Sequence, residues 1–280
     1  MKVNATPRTT TRTLQLRGQD LRVGIRPGSR SGTPLLLCSG IGISFEVFDL
    51  LVDALDSDIE IIRVDVPGVG GSPDRLIPYS FPELASLLAA VLDQLGYPEV
   101  DVLGFSWGGA LAQQFAIQCR NRCRRLILIS TSTGMLSIPG SPEALTRMLT
   151  PQSITADNAA SLLYDEIGPH GDEVRRLFRN TQIAASGLGY LYQLVAMSCW
   201  TSLPFLGLIR QPTLVIGGDA DPIVPVANAR LLANLIPHAV LHTFPGGHIE
   251  PLASPGEFSR LISGFLLGGI DAPEGFVPRS

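Results

Sequence analysis

Apolar residues of this 280-residue chain fall into short runs that are separated by longer amphipathic segments. Near the start, residues 11–16 and 21–25 alternate between apolar and polar side chains, which predicts an antiparallel hairpin at a sheet edge. Residues 34–38 and 60–64 instead predict central strands that are buried on both faces. Four further strands are predicted, at residues 100–103, 125–130, 213–217 and 240–244.

Segments of helical spacing lie between these predicted strands. The clearest covers residues 81–95, where apolar side chains keep one face, Pro82 suits the first turn and Gly96 follows the end. Apolar residues also recur at helical spacing over 45–55, and further helices are predicted at 110–119, 226–236 and 257–267. Strands that alternate with helices form βαβ units, so we expect an α/β fold with a mostly parallel central sheet flanked by helices.

The alternation stops after the sixth predicted strand, between residues 133 and 208. A segment of this length is too long for a bare loop, so we expect residues 133–208 to fold as a helical cap, or lid. The rest of the chain then divides into a flexible N-terminus, a core in two parts and a flexible C-terminal tail, with bounds of 1–10, 11–132, 209–267 and 268–280.

Composition excludes several classes of protein. Hydrophobic residues make up 45% of the chain and charged residues 16%, which excludes a disordered chain. The net charge of −4 gives no basis for binding nucleic acid. The first residues have no apolar core like that of a secretory signal, and no apolar run approaches the roughly 20 residues of a membrane span. We therefore expect a cytoplasmic protein without a transmembrane segment.

No cofactor is expected from the sequence. Cys119 and Cys123 are spaced like two metal ligands, but no second pair of cysteines or histidines completes a zinc pattern. The glycines of residues 68–71 resemble a dinucleotide fingerprint only loosely, because their spacing is wrong and no clear helix follows. We therefore expect neither a metal nor a nucleotide.

The strongest chemical signal is GFSWG at residues 104–108, which has the pattern Gly-x-Ser-x-Gly. It follows a predicted strand and opens a predicted helix, which is the context that a nucleophilic serine requires. A sharp strand-to-helix turn exposes the serine hydroxyl, and Gly104 and Gly108 are needed because a β-carbon there would clash. The sequence therefore predicts Ser106 as a nucleophile.

A serine nucleophile needs a base, and the chain has four histidines. His248 is the one that lies in a loop just past the carboxyl end of the last predicted strand, where catalytic groups of parallel sheets collect. Asp219 and Asp221 compete as the acid that orients the histidine. We favour Asp221, because Pro222 stiffens the segment behind it.

An oxyanion hole needs two backbone N–H donors. One is expected from Trp107, which follows the predicted nucleophile. The other is expected from the loop after residues 34–38, where Ile41 is the first candidate and Gly42 the second.

Four longer segments resemble one narrower family: DVPGVGGS at 65–72, SWGGALAQQFA at 106–116, WTS at 200–202 and QPTLV at 211–215. The chain resembles the intracellular medium-chain-length poly(3-hydroxyalkanoate) depolymerases of the α/β-hydrolase superfamily. The resemblance covers roughly residues 10 to 267. It implies a cytoplasmic, granule-associated enzyme whose nucleophile, acid and base match Ser106, Asp221 and His248.

We therefore expect a serine hydrolase that cleaves ester bonds, with polyester granules or other esters as its substrate. Other interpretations keep the fold and change the function. They are a carboxylesterase or lipase acting on small or lipid esters, a hydrolase of activated carbon–carbon bonds, a 3-hydroxyacyl transferase, and a granule- or ligand-binding protein without catalysis. The oligomeric state does not follow from the sequence.

Overall fold

The computed structural model describes residues 9–28, 32–149 and 185–268. These residues form one eight-stranded sheet in the order β1-β2-β4-β3-β5-β6-β7-β8. The strands are β1 (Thr10–Leu16), β2 (Gln19–Arg26), β3 (Leu35–Cys38), β4 (Ile61–Val64), β5 (Val100–Phe105), β6 (Cys123–Ile129), β7 (Thr213–Gly218) and β8 (Ala239–Phe244). The predicted fold class is confirmed, because β2 pairs antiparallel with β1 and β4 while the other neighbours are parallel.

Helices pack on both faces of this sheet. In the described residues they are α1 (Asp49–Ala54), α2 (Phe81–Leu95), α3 (Trp107–Gln118), α4 (Pro142–Leu149), α5 (Gly187–Ser198), α6 (Val226–Leu235), α7 (Glu250–Ala253) and α8 (Gly256–Leu267). Short 3₁₀ turns occupy Phe45–Phe48, Arg120–Arg122 and Leu203–Leu208. The segment predicted as helical over residues 45–55 is therefore a 3₁₀ turn that continues into α1.

Helix α2 shows how local sequence defines an element. The Ser80 side chain accepts a hydrogen bond from the Glu83 N–H, and the Glu83 carboxylate accepts one from the Ser80 N–H, so the first turn carries a reciprocal cap. Gly96 ends the helix with a φ of 81°, which glycine adopts without strain. The buried face of α2 then packs against one side of the sheet, together with α3 and α6.

The opposite face of the sheet is covered by α1, α7 and α8. Strands β3, β4, β5 and β6 carry buried residues toward both faces, as expected for the middle of a parallel sheet. The sheet is therefore a rigid platform, and the loops at its carboxyl edge are where reactive side chains are positioned.

The chain leaves the sheet after β6 and returns at β7, as the sequence predicts. The two ends of this insertion meet in an isolated β-bridge between Gly134 and Thr201, supported by a hydrogen bond from the Met135 N–H to the Trp200 carbonyl (2.8 Å). Between these two residues the structure describes α4 and α5, and the 3₁₀ turn at Leu203–Leu208 follows Thr201. Residues 150–184 lie outside the described residues, so the boundaries of the cap remain a prediction.

The predicted terminal segments fall mostly outside the described residues. Strand β1 begins at Thr10, and Gly268 forms the C-terminal cap of α8. In the part of the chain that the structure describes, no helix has the length and apolar character needed to cross a bilayer.

Candidate active site

Ser106 lies on the tight turn that joins β5 to α3. Its backbone has φ 54° and ψ −119°, a region that residues other than glycine seldom occupy. Three hydrogen bonds hold it there: the Ser106 N–H donates to the Ile129 carbonyl (2.9 Å), and the Ser106 carbonyl accepts from the Gly109 N–H (2.9 Å) and the Thr131 hydroxyl (2.7 Å). The strain is therefore maintained by the neighbouring strand β6 and the residues that follow it.

The two glycines of the pentapeptide allow this turn to pack closely. A Cβ at Gly104 would lie 2.3 Å from the Gly108 carbonyl oxygen, and a Cβ at Gly108 would lie 2.1 Å from the Cys38 carbonyl oxygen. Neither backbone oxygen can move aside, so a side chain at either position would displace the serine.

Asp221 and His248 reach Ser106 from the loops that follow the last two strands of the sheet. His248 Nε2 lies 3.0 Å from Ser106 Oγ, and His248 Nδ1 lies 2.7 Å from Asp221 Oδ2. Asp221 follows β7 and His248 follows β8, so the three side chains meet at the carboxyl edge of the sheet. His248 is 4% exposed and Asp221 is 5% exposed, so their hydrogen bond is shielded from water.

The structure distinguishes between the two candidate aspartates. The second carboxylate oxygen of Asp221 accepts hydrogen bonds from the backbone N–H groups of Ile223 (2.9 Å) and Val224 (2.8 Å). Asp219 instead points outward, with its carboxylate half-exposed and 3.9 Å from Arg230. Asp221, and not Asp219, is the residue brought to His248.

The remaining histidines lie elsewhere. His242 is on β8, with its ring 3.8 Å from Glu257, and the His238 carbonyl accepts a hydrogen bond from the Thr213 N–H at the opposite edge of the sheet. His170 lies outside the described residues.

Two other buried aspartates have structural partners, Asp65 at a loop and Asp101 between strands β5 and β6. Asp65 accepts hydrogen bonds from the Phe45 and Gly71 N–H groups and from Arg22, and burial raises its pKa to about 6. Asp101 pairs with Arg124. Neither carboxylate faces Ser106, so neither competes with Asp221.

The loop after β3 borders the cavity at Ser106 through Ile41. The Gly42 N–H already donates to Gln193 Oε1 (2.8 Å), whereas the Ile41 and Trp107 N–H groups have no acceptor among the described residues. Ile41, Trp107 and Ser106 line the same cavity. The second candidate from the sequence, Gly42, is therefore already engaged.

Sequence reasoning missed Gln193. It lies on α5, 151 residues from Gly42, and no local motif marks it. Only the hydropathy pattern gave a signal, because a glutamine interrupts the otherwise apolar stretch of residues 188–197.

A cavity of about 430 Å³ opens beside Ser106, between the sheet edge and the inserted segment. Polar groups are few and include Ser106, Thr131 and Ser132. Its apolar lining comes from both parts of the chain: Ile41, Trp107, Met135, Ile138, Leu145, Met148, Leu194, Met197, Ile223 and Val224. Such a space suits an acyl chain attached to a reactive carbonyl.

The described residues contain no group of side chains that could bind a metal ion. Across the described residues, no three side chains of histidine, cysteine, aspartate or glutamate come together as a metal site.

The thiol of Cys38 is buried at the end of β3, and desolvation raises its pKa to about 12, so it stays protonated and unreactive.

Comparison with known proteins agrees with this architecture. Residues 33–252 match the family described as the alpha/beta hydrolase fold. A poly(3-hydroxyalkanoate) depolymerase from Ectopseudomonas oleovorans is 41% identical over 91% of this chain and 92% of its own length. A pimeloyl-[acyl-carrier protein] methyl ester esterase from Aromatoleum aromaticum is 30% identical over 84% of this chain and 98% of its own length. The crystal structure of a hydrolase from Pseudomonas aeruginosa superposes with a TM-score of 0.78 at 26% identity, covering 92% of this chain and 98% of that one.

The chain therefore belongs to the α/β-hydrolase family. Within it, the resemblance to the poly(3-hydroxyalkanoate) depolymerases is confirmed by a relative that matches nearly the whole chain, and the expectation of an ester hydrolase is confirmed with it.

Proposed function

We propose that Ser106, His248 and Asp221 are the nucleophile, base and acid of an acyl-enzyme mechanism. The observation that carries this proposal is the continuous hydrogen-bonded chain from Ser106 Oγ through His248 to Asp221. His248 takes the serine proton as Oγ attacks the ester carbonyl, and then returns it to the leaving alcohol. Water, activated by the same histidine, releases the acid and restores Ser106.

The tetrahedral intermediate carries a negative charge on the former carbonyl oxygen. The N–H groups of Ile41 and Trp107 are the donors that would hold this oxygen, because both border the cavity at Ser106 and neither has a competing acceptor in the described part of the chain. Trp107 is also the first residue of α3, so the partial positive charge of the helix N-terminus adds to the stabilisation.

The substrate that we propose is a medium-chain-length poly(3-hydroxyalkanoate), or oligomers released from it. The relative that is 41% identical is a depolymerase of this polymer class, and the apolar cavity beside Ser106 suits an alkyl side chain. We further propose that the enzyme acts inside the cell on storage granules, as the family resemblance implies.

A second candidate is hydrolysis of small esters. It is favoured by the 30% identity to an esterase that acts on a methyl ester and by the limited size of the cavity. This alternative uses the same three residues and differs only in the leaving group and acyl chain.

The test compares Ser106→Ala with the unmodified protein on nitrophenyl esters and on an amorphous medium-chain polyester. We expect alanine to lower kcat at least ~10³-fold on both substrates, since it removes the nucleophile without adding strain. Ser86→Ala, on the exposed side of α2, is the control and should keep full activity. Near-native turnover by the Ser106 variant would refute the assignment, and turnover of small esters without release of hydroxy acids would favour the second candidate.

A further inference from the structure

Gln193 is a fully buried polar residue of the inserted segment that contacts both sides of the oxyanion site. Its side-chain Oε1 accepts the hydrogen bond from the Gly42 N–H (2.8 Å). Its backbone carbonyl accepts the indole N–H of Trp107 (3.0 Å). One residue of α5 is therefore bonded to the neighbour of Ile41 and to Trp107 itself.

The loop that carries Ile41 and Gly42 has two more contacts with the same segment. The Gly42 carbonyl accepts a hydrogen bond from the Ala185 N–H (3.1 Å). Gly42 has a φ of 72°, and a Cβ there would lie 2.8 Å from the ring of Tyr190. The N–H and the carbonyl of Gly42 are thus both hydrogen-bonded to the inserted segment, and the ring of Tyr190 packs against the same residue.

We propose that Gln193 is a positioning residue that aligns the oxyanion hole. By holding the Gly42 N–H, it directs the preceding peptide so that the Ile41 N–H points to the carbonyl oxygen at Ser106, and through Trp107 it fixes the second donor. The inference rests on the proposed function, and it makes the inserted segment part of the catalytic geometry and not only a cover for the substrate.

The unpaired amide nitrogen of Gln193 also supports a positioning role for this residue. Its Nε2 is buried and has no acceptor among the described residues. A buried donor without a partner destabilises the fold. A residue of the same length without this nitrogen would give a more stable fold. The contribution of glutamine at position 193 is therefore its amide oxygen, which accepts the hydrogen bond from Gly42.

The first variant is Gln193→Met, which has similar length and removes both the Oε1 acceptor and the unpaired Nε2. Loss of the Gly42 partner and loss of the unpaired donor offset each other in stability, so the melting temperature should change little. We expect kcat on a nitrophenyl ester to fall roughly 10–100-fold, since misalignment removes part of what one oxyanion donor contributes. KM should stay within about twofold, because the acyl-chain cavity is untouched.

The control is Gln211→Met at a second buried glutamine. Gln211 lies at the opposite edge of the sheet, where its Nε2 donates to the Ala116 and Arg120 carbonyls (both 3.2 Å) and its Oε1 has no donor in the described part of the chain. This variant should lower the melting temperature and leave kcat unchanged. It therefore separates loss of a buried amide from loss of the oxyanion geometry.

Gln193→Glu supplies a readout that a purely structural residue would not change. A protonated carboxyl at 193 still accepts from Gly42, whereas an ionised one places a negative charge near the developing oxyanion. The ratio of its kcat to that of the unmodified enzyme should therefore fall as pH rises, while the same ratio for Gln193→Met stays flat.

The outcomes separate the two proposals. The positioning role is supported if kcat falls in Gln193→Met with an unchanged KM, and if the inhibition constant for an alkylboronic acid, which forms a tetrahedral adduct on Ser106, rises in parallel. It is overturned if Gln193→Met keeps kcat within about twofold while the unmodified enzyme is active, or if Gln211→Met loses as much kcat. An unmodified enzyme that hydrolyses no ester would overturn the proposed function and this inference with it.

Discussion

Asp221 uses its two carboxylate oxygens for different tasks. One faces His248 at 2.7 Å, and the other accepts two backbone N–H groups from Ile223 and Val224. These backbone bonds fix the rotation of the carboxylate, so the oxygen toward His248 has no freedom to turn away. At the scale of single residues, the histidine is oriented by an acid that is itself oriented by the backbone.

We expect Asp221→Asn to lower kcat by about 10³-fold or more. An amide nitrogen facing His248 Nδ1 donates where the carboxylate accepts, and so favours the tautomer that cannot take the serine proton. Asp219→Asn is the matched control, two residues away and half-exposed, and should stay within about twofold of the unmodified enzyme. Steady-state kinetics on one ester decide between them, and equal losses in both variants would contradict the assignment.

The residues of this site differ in how well the sequence could predict them. Ser106 and His248 stand in short glycine-containing motifs at strand ends, so local sequence predicts their placement. The choice of Asp221 over Asp219 came from Pro222, whereas the structure gives a fuller reason in the two N–H groups that hold its carboxylate. Gln193 was not predictable, since its partners are 86 and 151 residues away in sequence.

At the scale of elements, α5 is held on the core by a contact between two glycines. A Cβ on Gly189 would lie 2.1 Å from the Gly68 carbonyl oxygen, and that oxygen also accepts the Ser186 N–H (2.9 Å). Ser186 caps the helix by accepting from the Gly189 N–H (2.8 Å). Gly68 of the glycine-rich loop at residues 68–71 is therefore the point on the core against which α5 packs.

Gly189→Ala should displace α5 from its contact with Gly68. Alanine normally stabilises a helix by about 1 kcal/mol relative to glycine. At position 189, however, its β-carbon would clash with the backbone of Gly68. We expect the free energy of unfolding to fall by about 1–3 kcal/mol, and kcat to fall as well, because Gln193 moves with the helix. Urea denaturation and kinetics measure the two effects.

Gly207→Ala is the control for this substitution. A Cβ at Gly207 meets no heavy atom within 4 Å, so stability and kcat should be unchanged. A Gly189→Ala protein that was as stable and as active as the unmodified enzyme would show that α5 is not held in this way.

Elements with strong local signals are the ones that sequence predicted best. Helix α2 has the predicted bounds because its cap, its proline and its terminal glycine are all local. Helix α3 begins at Trp107 and not at residue 110, since Gly108 and Gly109 have low helix propensity and the start is imposed by the turn at Ser106. The position of α5 depends on contacts with distant loops, which periodicity does not encode.

At the scale of the whole molecule, the site is shared between two parts of the chain. The sheet edge supplies Ser106, Asp221 and His248, while α4 and α5 supply much of the apolar wall of the cavity. The insertion is closed at its base by the bridge between Gly134 and Thr201. Deleting it would remove Gln193 together with the wall, so substrate selection is better tested by single substitutions in the wall.

Leu194 and Leu191 make that test possible on one helix. Leu194 lines the cavity, whereas Leu191 is 50% exposed on α5 and is not part of the lining. Each CH₂ of an acyl chain that enters the cavity contributes about 0.8 kcal/mol, or about fourfold in kcat/KM. For the unmodified enzyme, kcat/KM should therefore rise with acyl length until the cavity of about 430 Å³ is filled.

Leu194→Trp should shift this optimum to shorter esters, because the indole occupies space that the end of a medium-length chain would take. The decrease in kcat/KM should be confined to the longer substrates. For the shortest ester, kcat/KM should stay within about threefold of the value for the unmodified enzyme, since the oxyanion donors and Ser106 are unchanged. Leu191→Trp should leave the whole profile as it is. The measurement is kcat/KM for nitrophenyl esters from about two to about twelve carbons, over which burial of methylenes predicts a steep dependence. A flat profile in the unmodified enzyme, or the same profile in both tryptophan variants, would show that this cavity does not select the acyl chain.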